Sequence, residues 1–268
     1  MQSLSSLAPE KAAQIQLVLC DIDDTVTTHG ALTARAYAAM ESLQQAGIEV
    51  IPITGRPAGW CDHIARMWPV SAIVGENGAF FMRYDRAQRR MHQHFWTDPQ
   101  TQQDNRRKLD QLAQTILREV PGCALASDQP YRIADLAVDF CEDVEPLGEA
   151  DIDRIVNLFE EVGAQAKVSS IHVNGWFGDY DKLSMTKTLL EQYWPELVDR
   201  IDETALFIGD SANDAPMFGF FPISVGVANV RDQLHRIATP PKFICSQYSG
   251  DGFVEMAQTL LQHRNQSK

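Results

Sequence analysis

Asp21 and Asp23 stand two residues apart, directly after the unbroken apolar run Leu17-Val18-Leu19-Cys20. Such a run reads as a strand buried on both faces of a parallel sheet. Carboxylates gathered at its carboxyl end lie where open α/β sheets bind ligands. Buried acids are costly unless a cation or a reaction uses them. The pattern Asp21-x-Asp23-x-Thr25 therefore points to a divalent metal, with one carboxylate as nucleophile and metal ligand and the other moving a proton.

Three further patches have the same character. Thr54-Gly55-Arg56 follows a second apolar run and offers a hydroxyl, a glycine amide and a helix start, the parts of a phosphate cradle. Lys182 opens a predicted helix. Phe207-Ile208-Gly209-Asp210-Ser211-Ala212-Asn213-Asp214 is an apolar strand ending in two acids four residues apart. Taken singly, a strand-end acid caps a helix, Thr-Gly-Arg makes a turn and a lone lysine is solvated. In this order, and each at a strand end or helix start, they specify a single site.

Elementary electrostatics says what such a site is for. A phosphate dianion approaching a carboxylate is repelled, by about 4 kcal/mol per unit charge pair at ~4 Å and an effective dielectric near 20. A divalent cation and a lysine remove that barrier compactly. Magnesium, which takes a few carboxylates and keeps several waters, suits a set of two or three acids.

The surrounding pattern supplies the scaffold. Residues 17–21, 48–53 and 71–74 read as strands alternating with helices at 33–46 and 56–68, which is the rhythm of a Rossmann-like, doubly wound parallel sheet. The rhythm then changes. A hairpin over 80–84 and 91–96 turns at 85–88, followed by a helix at 103–120, strands at 122–126 and 131–140, a helix at 150–162 and strands across 165–176. Two strands per helix suit an antiparallel sheet with helices on one face. The first pattern returns with a helix at 182–194, a strand at 205–209, a helix from 213 to 218, further short elements at 223–227, 231–237 and 242–244, and a closing helix at 252–263. The expected fold class is α/β, with residues 1–84 and 179–268 forming a catalytic core and 85–178 an inserted α+β cap.

Composition narrows the partners. The formal charge of −13 disfavours nucleic acid and anionic membrane surfaces, whose recognition needs a basic face. Five dispersed cysteines with no CxxC pair indicate reduced thiols and a cytoplasmic protein. The first residues carry no signal pattern, and no run approaches the roughly 20 apolar residues of a membrane span. The expected partner is a small phosphorylated metabolite; oligomeric state is not legible.

The four patches in this order resemble the haloacid dehalogenase superfamily, and within it the phosphatases with a large cap between the second and third motifs, such as the Cof-type, sucrose-phosphate and mannosyl-3-phosphoglycerate phosphatases. Ser71-Ala72-Ile73-Val74-Gly75-Glu76-Asn77-Gly78-Ala79 is similar to the strand and Asn-Gly-Ala turn that precede the cap in that subgroup. The resemblance implies that Asp21 attacks phosphorus to form an aspartyl-phosphate and that Asp23 protonates the leaving alcohol and later deprotonates water. It implies Mg²⁺ held by Asp21, the Asp23 carbonyl and Asp210, with Asp214 an outer acid. Thr54, Gly55, Lys182 and Asn213 would bind the phosphoryl group. The superfamily's dehalogenases lack the second aspartate, so Asp23 with Asp210 and Asp214 argues for phosphoryl transfer. The expected activity is Mg²⁺-dependent hydrolysis of a sugar phosphate. The rivals are a phosphosugar mutase and a non-catalytic phosphosugar-binding regulator.

Other residues have two readings each. His172, Asn174 and Trp176 share one face of a strand; that face either lines a sugar pocket or is a polar face with one packed tryptophan. Arg56 either reaches the phosphate or forms a structural ion pair. Glu76 and Asn77 either contact substrate or only turn the chain between core and cap.

Overall fold

The computed structural model describes residues 1–266, with side chains to residue 264. Its strands, in chain order, are β1 (Gln2–Ser3), β2 (Leu17–Cys20), β3 (Glu49–Pro52), β4 (Ile73–Gly75), β5 (Phe80–Asp85), β6 (Arg90–Phe95), β7 (Ala124–Leu125), β8 (Leu136–Asp139), β9 (Gln165–Val168), β10 (His172–Trp176), β11 (Ala205–Gly209), β12 (Ser224–Gly226) and β13 (Phe243–Ile244). The central sheet runs β1-β13-β12-β11-β2-β3, with every pair parallel.

Apolar residues fill successive positions of the central strands because both faces are covered. Val18, Cys20 and Val50 turn to one side, against Met40 and Leu43 of the helix Ala34–Gln45 and Phe253 and Leu260 of Ser249–Gln266. Leu17, Leu19 and Ile51 turn to the other, with Met185, Leu189 and Leu190 of the helix Lys182–Tyr193. The β2–β11 register aligns Cys20 with Ile208. Asp21, one residue on, and Asp210, two residues on, therefore leave the sheet at one edge. β3 delivers Thr54 to the same edge, where an Ile53–Val74 bridge links it to β4.

The hairpin β5–β6 pairs with β4, and Phe80, Met82, Tyr84, Met91 and Phe95 pack on the core. The boundary expected at 84/85 thus falls inside a hairpin whose apolar face belongs to the core side. The second sheet, β7-β8-β10-β9, is antiparallel. Leu109, Leu112 and Ile116 of the helix Pro99–Glu119 and Ile155, Leu158 and Phe159 of Glu149–Glu161 pack with its Leu136, Val138 and Val173.

Two expected boundaries move for local reasons. The helix expected from 103 starts at Pro99, because the Asp98 carboxylate accepts the Gln100 and Thr101 amides and proline suits the first helical position. The strand expected over 131–140 begins only at Leu136, because the backbone amides of 133–135 bond across to the core instead of to a neighbouring strand. Among the described residues no helix is long and apolar enough to cross a membrane.

Candidate active site

Three acids converge at the carboxyl edge of the central sheet. Asp21 follows β2, Asp210 follows β11 and Asp214 lies on the turn beyond; all are buried, and carboxylate oxygens from the three lie within 4.8 Å of one another. Lys182 Nζ donates to Asp21 Oδ1 and Asp214 Oδ1, each at 2.7 Å. The lysine is fixed because it is the first residue of its helix. Asp181 caps that helix by accepting the Ser184 amide, while Ser184 Oγ accepts the Asp181 amide. Gly78 lies against this cap with φ +107°, and a Cβ there would fall 2.0 Å from the Asp181 carbonyl oxygen. Only glycine satisfies both the backbone and the space.

Each acid has a distinct set of partners. Asp214 Oδ2 accepts the amides of Asp210 and Ser211 at 3.0 and 3.3 Å, so with Lys182 on Oδ1 both its oxygens are engaged. Asp210 accepts from the Thr25 hydroxyl and from Asn229 Nδ2 at 3.2 and 3.3 Å. Thr25, the last residue of the first motif, thus ties that turn to the second acid. Gly209 leaves room for the arrangement: a Cβ there would sit 2.3 Å from Asp214 Oδ2.

Burial pushes the Asp21 carboxyl above its ordinary range; Lys182 pulls it back, and Asp214 and Asp23 push it up again. Burial also raises Asp210, with Asp21 and Asp214 adding to it. Burial alone would lower Lys182, but the charges of Asp21 and Asp214 override it and hold the ammonium protonated. One lysine against three buried carboxylates leaves excess negative charge on an all-oxygen donor set. Such a set fits a hard divalent cation. Asp21, Asp210 and Asp214 form the group that could hold it; of the three, Asp214 has both oxygens engaged, by Lys182 and by two backbone amides.

The Thr54–Gly55 turn lies alongside. Thr54 Oγ1 accepts the Arg56 amide at 3.0 Å, which leaves its own proton free to donate elsewhere. A Cβ on Gly55 would meet Asn77 Nδ2 at 3.1 Å. Asn213 Nδ2 donates to Asn77 Oδ1 at 3.4 Å, bringing two more expected residues together. Asn77 Nδ2 is buried without a hydrogen-bond partner. An unmet buried donor is costly and suits an acceptor-rich ligand such as a phosphoryl group.

The remaining expected residues join the core to the inserted module. Arg56 Nε lies 3.0 Å from both oxygens of Asp23, Nη1 donates to Asp128 at 3.1 Å and Nη2 to Glu142 at 2.6 Å. Its guanidinium is thus spent on three carboxylates. Glu76, wholly buried, accepts the amides of Ala58 from the core and of Ile133, Ala134 and Asp135 from the insert. It is a latch between the two parts. Arg132, also buried, donates to the Gly55 carbonyl at 2.8 Å and pairs with Asp128 and Asp135.

The strand face proposed for sugar contact is closed. His172 Nε2 lies 2.9 Å from Glu142 Oε2, Asn174 Nδ2 donates to Asp135 at 2.9 Å, and Trp176 is 1% exposed, stacked on Tyr180 and donating to its carbonyl. Trp176 is a packed core residue, the second of its two readings. The sequence reading missed Asp128, Arg132, Asp135 and Glu142. They are scattered through and beside the segment read as a strand over 131–140, with no motif to mark them, and their partners lie up to 86 residues away.

The comparisons agree with this geometry. Residues 18–112 match the family model of haloacid dehalogenase-like hydrolases. Comparison with curated proteins gives no match. Among solved structures, a Thermoplasma acidophilum protein superposes with a TM-score of 0.69 at 18% identity, covering 93% of this chain and 99% of its own. A HAD/COF-like hydrolase from Plasmodium vivax gives 0.67 at 17%, covering 97% and 100%. A sucrose-phosphatase from Synechocystis, solved with sucrose and phosphate, gives 0.62 at 16%, covering 93% and 98%. Over residues 18–112 the chain is similar to haloacid dehalogenase-like hydrolases, and it shares its fold with these solved structures; the resemblance read from its motifs is borne out.

Proposed function

We propose that the protein is a Mg²⁺-dependent phosphatase acting on a small phosphorylated metabolite, with a sugar phosphate as the favoured class. The observation that carries this reading is the meeting of Asp21, Asp210 and Lys182 in one buried cluster, with Lys182 Nζ 2.7 Å from Asp21 Oδ1. A binding protein has no use for a buried carboxylate poised beside an ammonium.

In the first step an Asp21 carboxylate oxygen forms a bond to phosphorus as the bond from phosphorus to the leaving oxygen breaks, and Asp23 gives that oxygen its proton. In the second, water attacks phosphorus, Asp23 takes the proton back, and the P–O bond to Asp21 breaks to release inorganic phosphate. Lys182 neutralises charge on the nucleophile and the transferring group, and the Gly55 amide, Thr54 hydroxyl and Asn77 amide donate to phosphoryl oxygens. Bound by Asp21, Asp210 and the Asp23 carbonyl, Mg²⁺ would supply positive charge against the incoming dianion. The sucrose-phosphatase likeness supports the sugar-phosphate class, because that protein of similar fold was solved with sucrose and phosphate.

The test is phosphate release from a panel of phosphorylated metabolites, with and without Mg²⁺. Wild type is expected to release phosphate only with the cation, and Asp21→Asn to release none while retaining a cooperative melt. Turnover by Asp21→Asn at the wild-type rate would remove the nucleophile, and appearance of an isomeric phosphosugar in place of phosphate would make the protein a mutase.

A further inference from the structure

A cleft of about 320 Å³ lined in part by Asp23 opens between the core and the inserted module. That volume is at the lower end of the roughly 300–1,000 Å³ range of ligand sites. Its polar lining comes from Asp23, Asp24, Thr27, His29 and Arg56 of the core and from Cys141, Glu142 and Ser170 of the insert. If Asp23 serves the leaving oxygen, this cleft receives the leaving group.

The lining is lopsided in two ways. First, three carboxylates face one guanidinium, and that guanidinium is already bonded to Asp23 and Glu142 here and to Asp128 behind. Second, carboxylates only accept hydrogen bonds. The Arg56 donors are occupied and the Thr27 hydroxyl donates to the Ile22 carbonyl, so the oxygens of three carboxylates outnumber the donors left on His29 and Ser170. A ligand matches such a wall by bringing donors, as hydroxyl and ammonium groups do. A second carboxylate or phosphate brings none and adds like charge in a confined space, where screening by water is weakest.

We infer that the leaving group is a polyhydroxylated or amine-bearing fragment without a second anionic group, and that Asp24 and Glu142 enforce this choice. The inference rests on the phosphatase reading for its meaning but concerns binding. It separates phosphates of neutral sugars and polyols from phosphorylated sugar acids and bisphosphates.

The test uses sorbitol 6-phosphate and 6-phosphogluconate, which differ only in carrying a hydroxymethyl or a carboxylate at the far end. Both are titrated calorimetrically into the Mg²⁺-loaded full chain, and phosphate release is followed in parallel. The neutral compound is expected to bind at least about tenfold more tightly. In Glu142→Gln and in Asp24→Asn the ratio is expected to shrink, most in Glu142→Gln because it also frees Arg56. Equal or tighter binding of 6-phosphogluconate, an unchanged ratio in both variants, or binding of neither compound would overturn the inference. The expected order of binding with no phosphate release from either compound or from the wider panel would uphold it and defeat the phosphatase reading alone.

Discussion

Arg56 grips both oxygens of Asp23, with Nε 3.0 Å from each and Nη2 2.9 Å from one, and the same guanidinium holds Asp128 and Glu142 of the inserted module. The acid assigned to proton transfer is therefore oriented by the group that ties the cap to the core. Docking of the insert and the position of Asp23 share one guanidinium in this arrangement. Trp60 stacks beneath the guanidinium, 4.5 Å from its carbon, and fixes its plane.

Removing that guanidinium should damage both functions. Arg56→Met leaves three carboxylates without their shared partner. Breaking a buried pair from one side costs about 3–5 kcal/mol. A misplaced catalytic group costs on the order of a hundredfold in kcat. Arg56→Lys is expected to recover part of the stability and little of the rate, because an ammonium cannot reproduce the planar fork. Urea melts and steady-state kinetics on both variants check this. A kcat for Arg56→Met equal to wild type would show that Asp23 is positioned by something else.

The acids of the cluster should divide into two classes when a cation is added. Asp210 is tied by hydroxyl and amide donors, and Asp214 has both oxygens taken by Lys182 and two backbone amides. A ligand bound only by the folded state stabilises it by about 2.7 kcal/mol at a hundred times its Kd. Wild type should therefore melt higher with Mg²⁺, and chelation should reverse the gain and stop phosphate release. Asp210→Asn is expected to lose the Mg²⁺-dependent gain. Asp214→Asn should keep most of it while losing activity through a loosened Lys182. The reverse pattern would make Asp214 the ligand.

How much of this was legible in the sequence follows from the range of the interactions. Asp21, Thr54, Lys182 and Asp210 each sit at a strand end or a helix start, so periodicity and turn chemistry locate them without knowledge of distant contacts. Leu17–Cys20 and Ala205–Gly209 are apolar at every position because both faces of their sheet are covered, and that reads directly as the core. The insert is different. Residues 131–135 look like the start of a strand, yet the amides of 133–135 are taken by Glu76, more than fifty residues earlier. The hairpin Phe80–Phe95 changes the local rhythm while still packing on the core. Trp176 lies on the expected face of its strand, but that face meets Tyr180 and core side chains instead of an open pocket. Local pattern specifies which face a side chain takes; it does not specify what covers that face.

Glu76 should act as a latch. Its φ of 44° places it in the left-handed region, where a non-glycine residue persists only when its surroundings compensate. The compensation here is four backbone amides, one from the core and three from the insert. Glu76→Ala strands those donors in a buried place at about 1–3 kcal/mol for each group left unsatisfied. The expected outcome is faster hydrogen exchange and earlier proteolysis within 128–136, with the helix Pro99–Glu119 protected as before. Uniform loss of protection across the chain would mean that Glu76 supports the whole fold and not the docking of the insert.

Glu142 should give cap docking a measurable acid limit. Burial works to raise its carboxyl, but the nearby His172 ring, with the hydrogen bonds and charge of Arg56, outweighs it and brings the pKa from the ordinary 4.5 down to about 2. A group whose pKa is depressed on folding contributes stability that is present above its unfolded pKa and is lost as pH falls through the folded one. The contribution of Glu142 is therefore complete near neutrality and fades between about pH 5 and about pH 2. Wild type should exceed Glu142→Gln in melting temperature by a constant margin from about pH 6 to about pH 8, and the margin should narrow steadily as the pH drops below about 5. Melts of the two proteins across that range decide the matter. A margin that is unchanged down to about pH 3 would mean that the stabilising feature of Glu142 is its shape and not its charge.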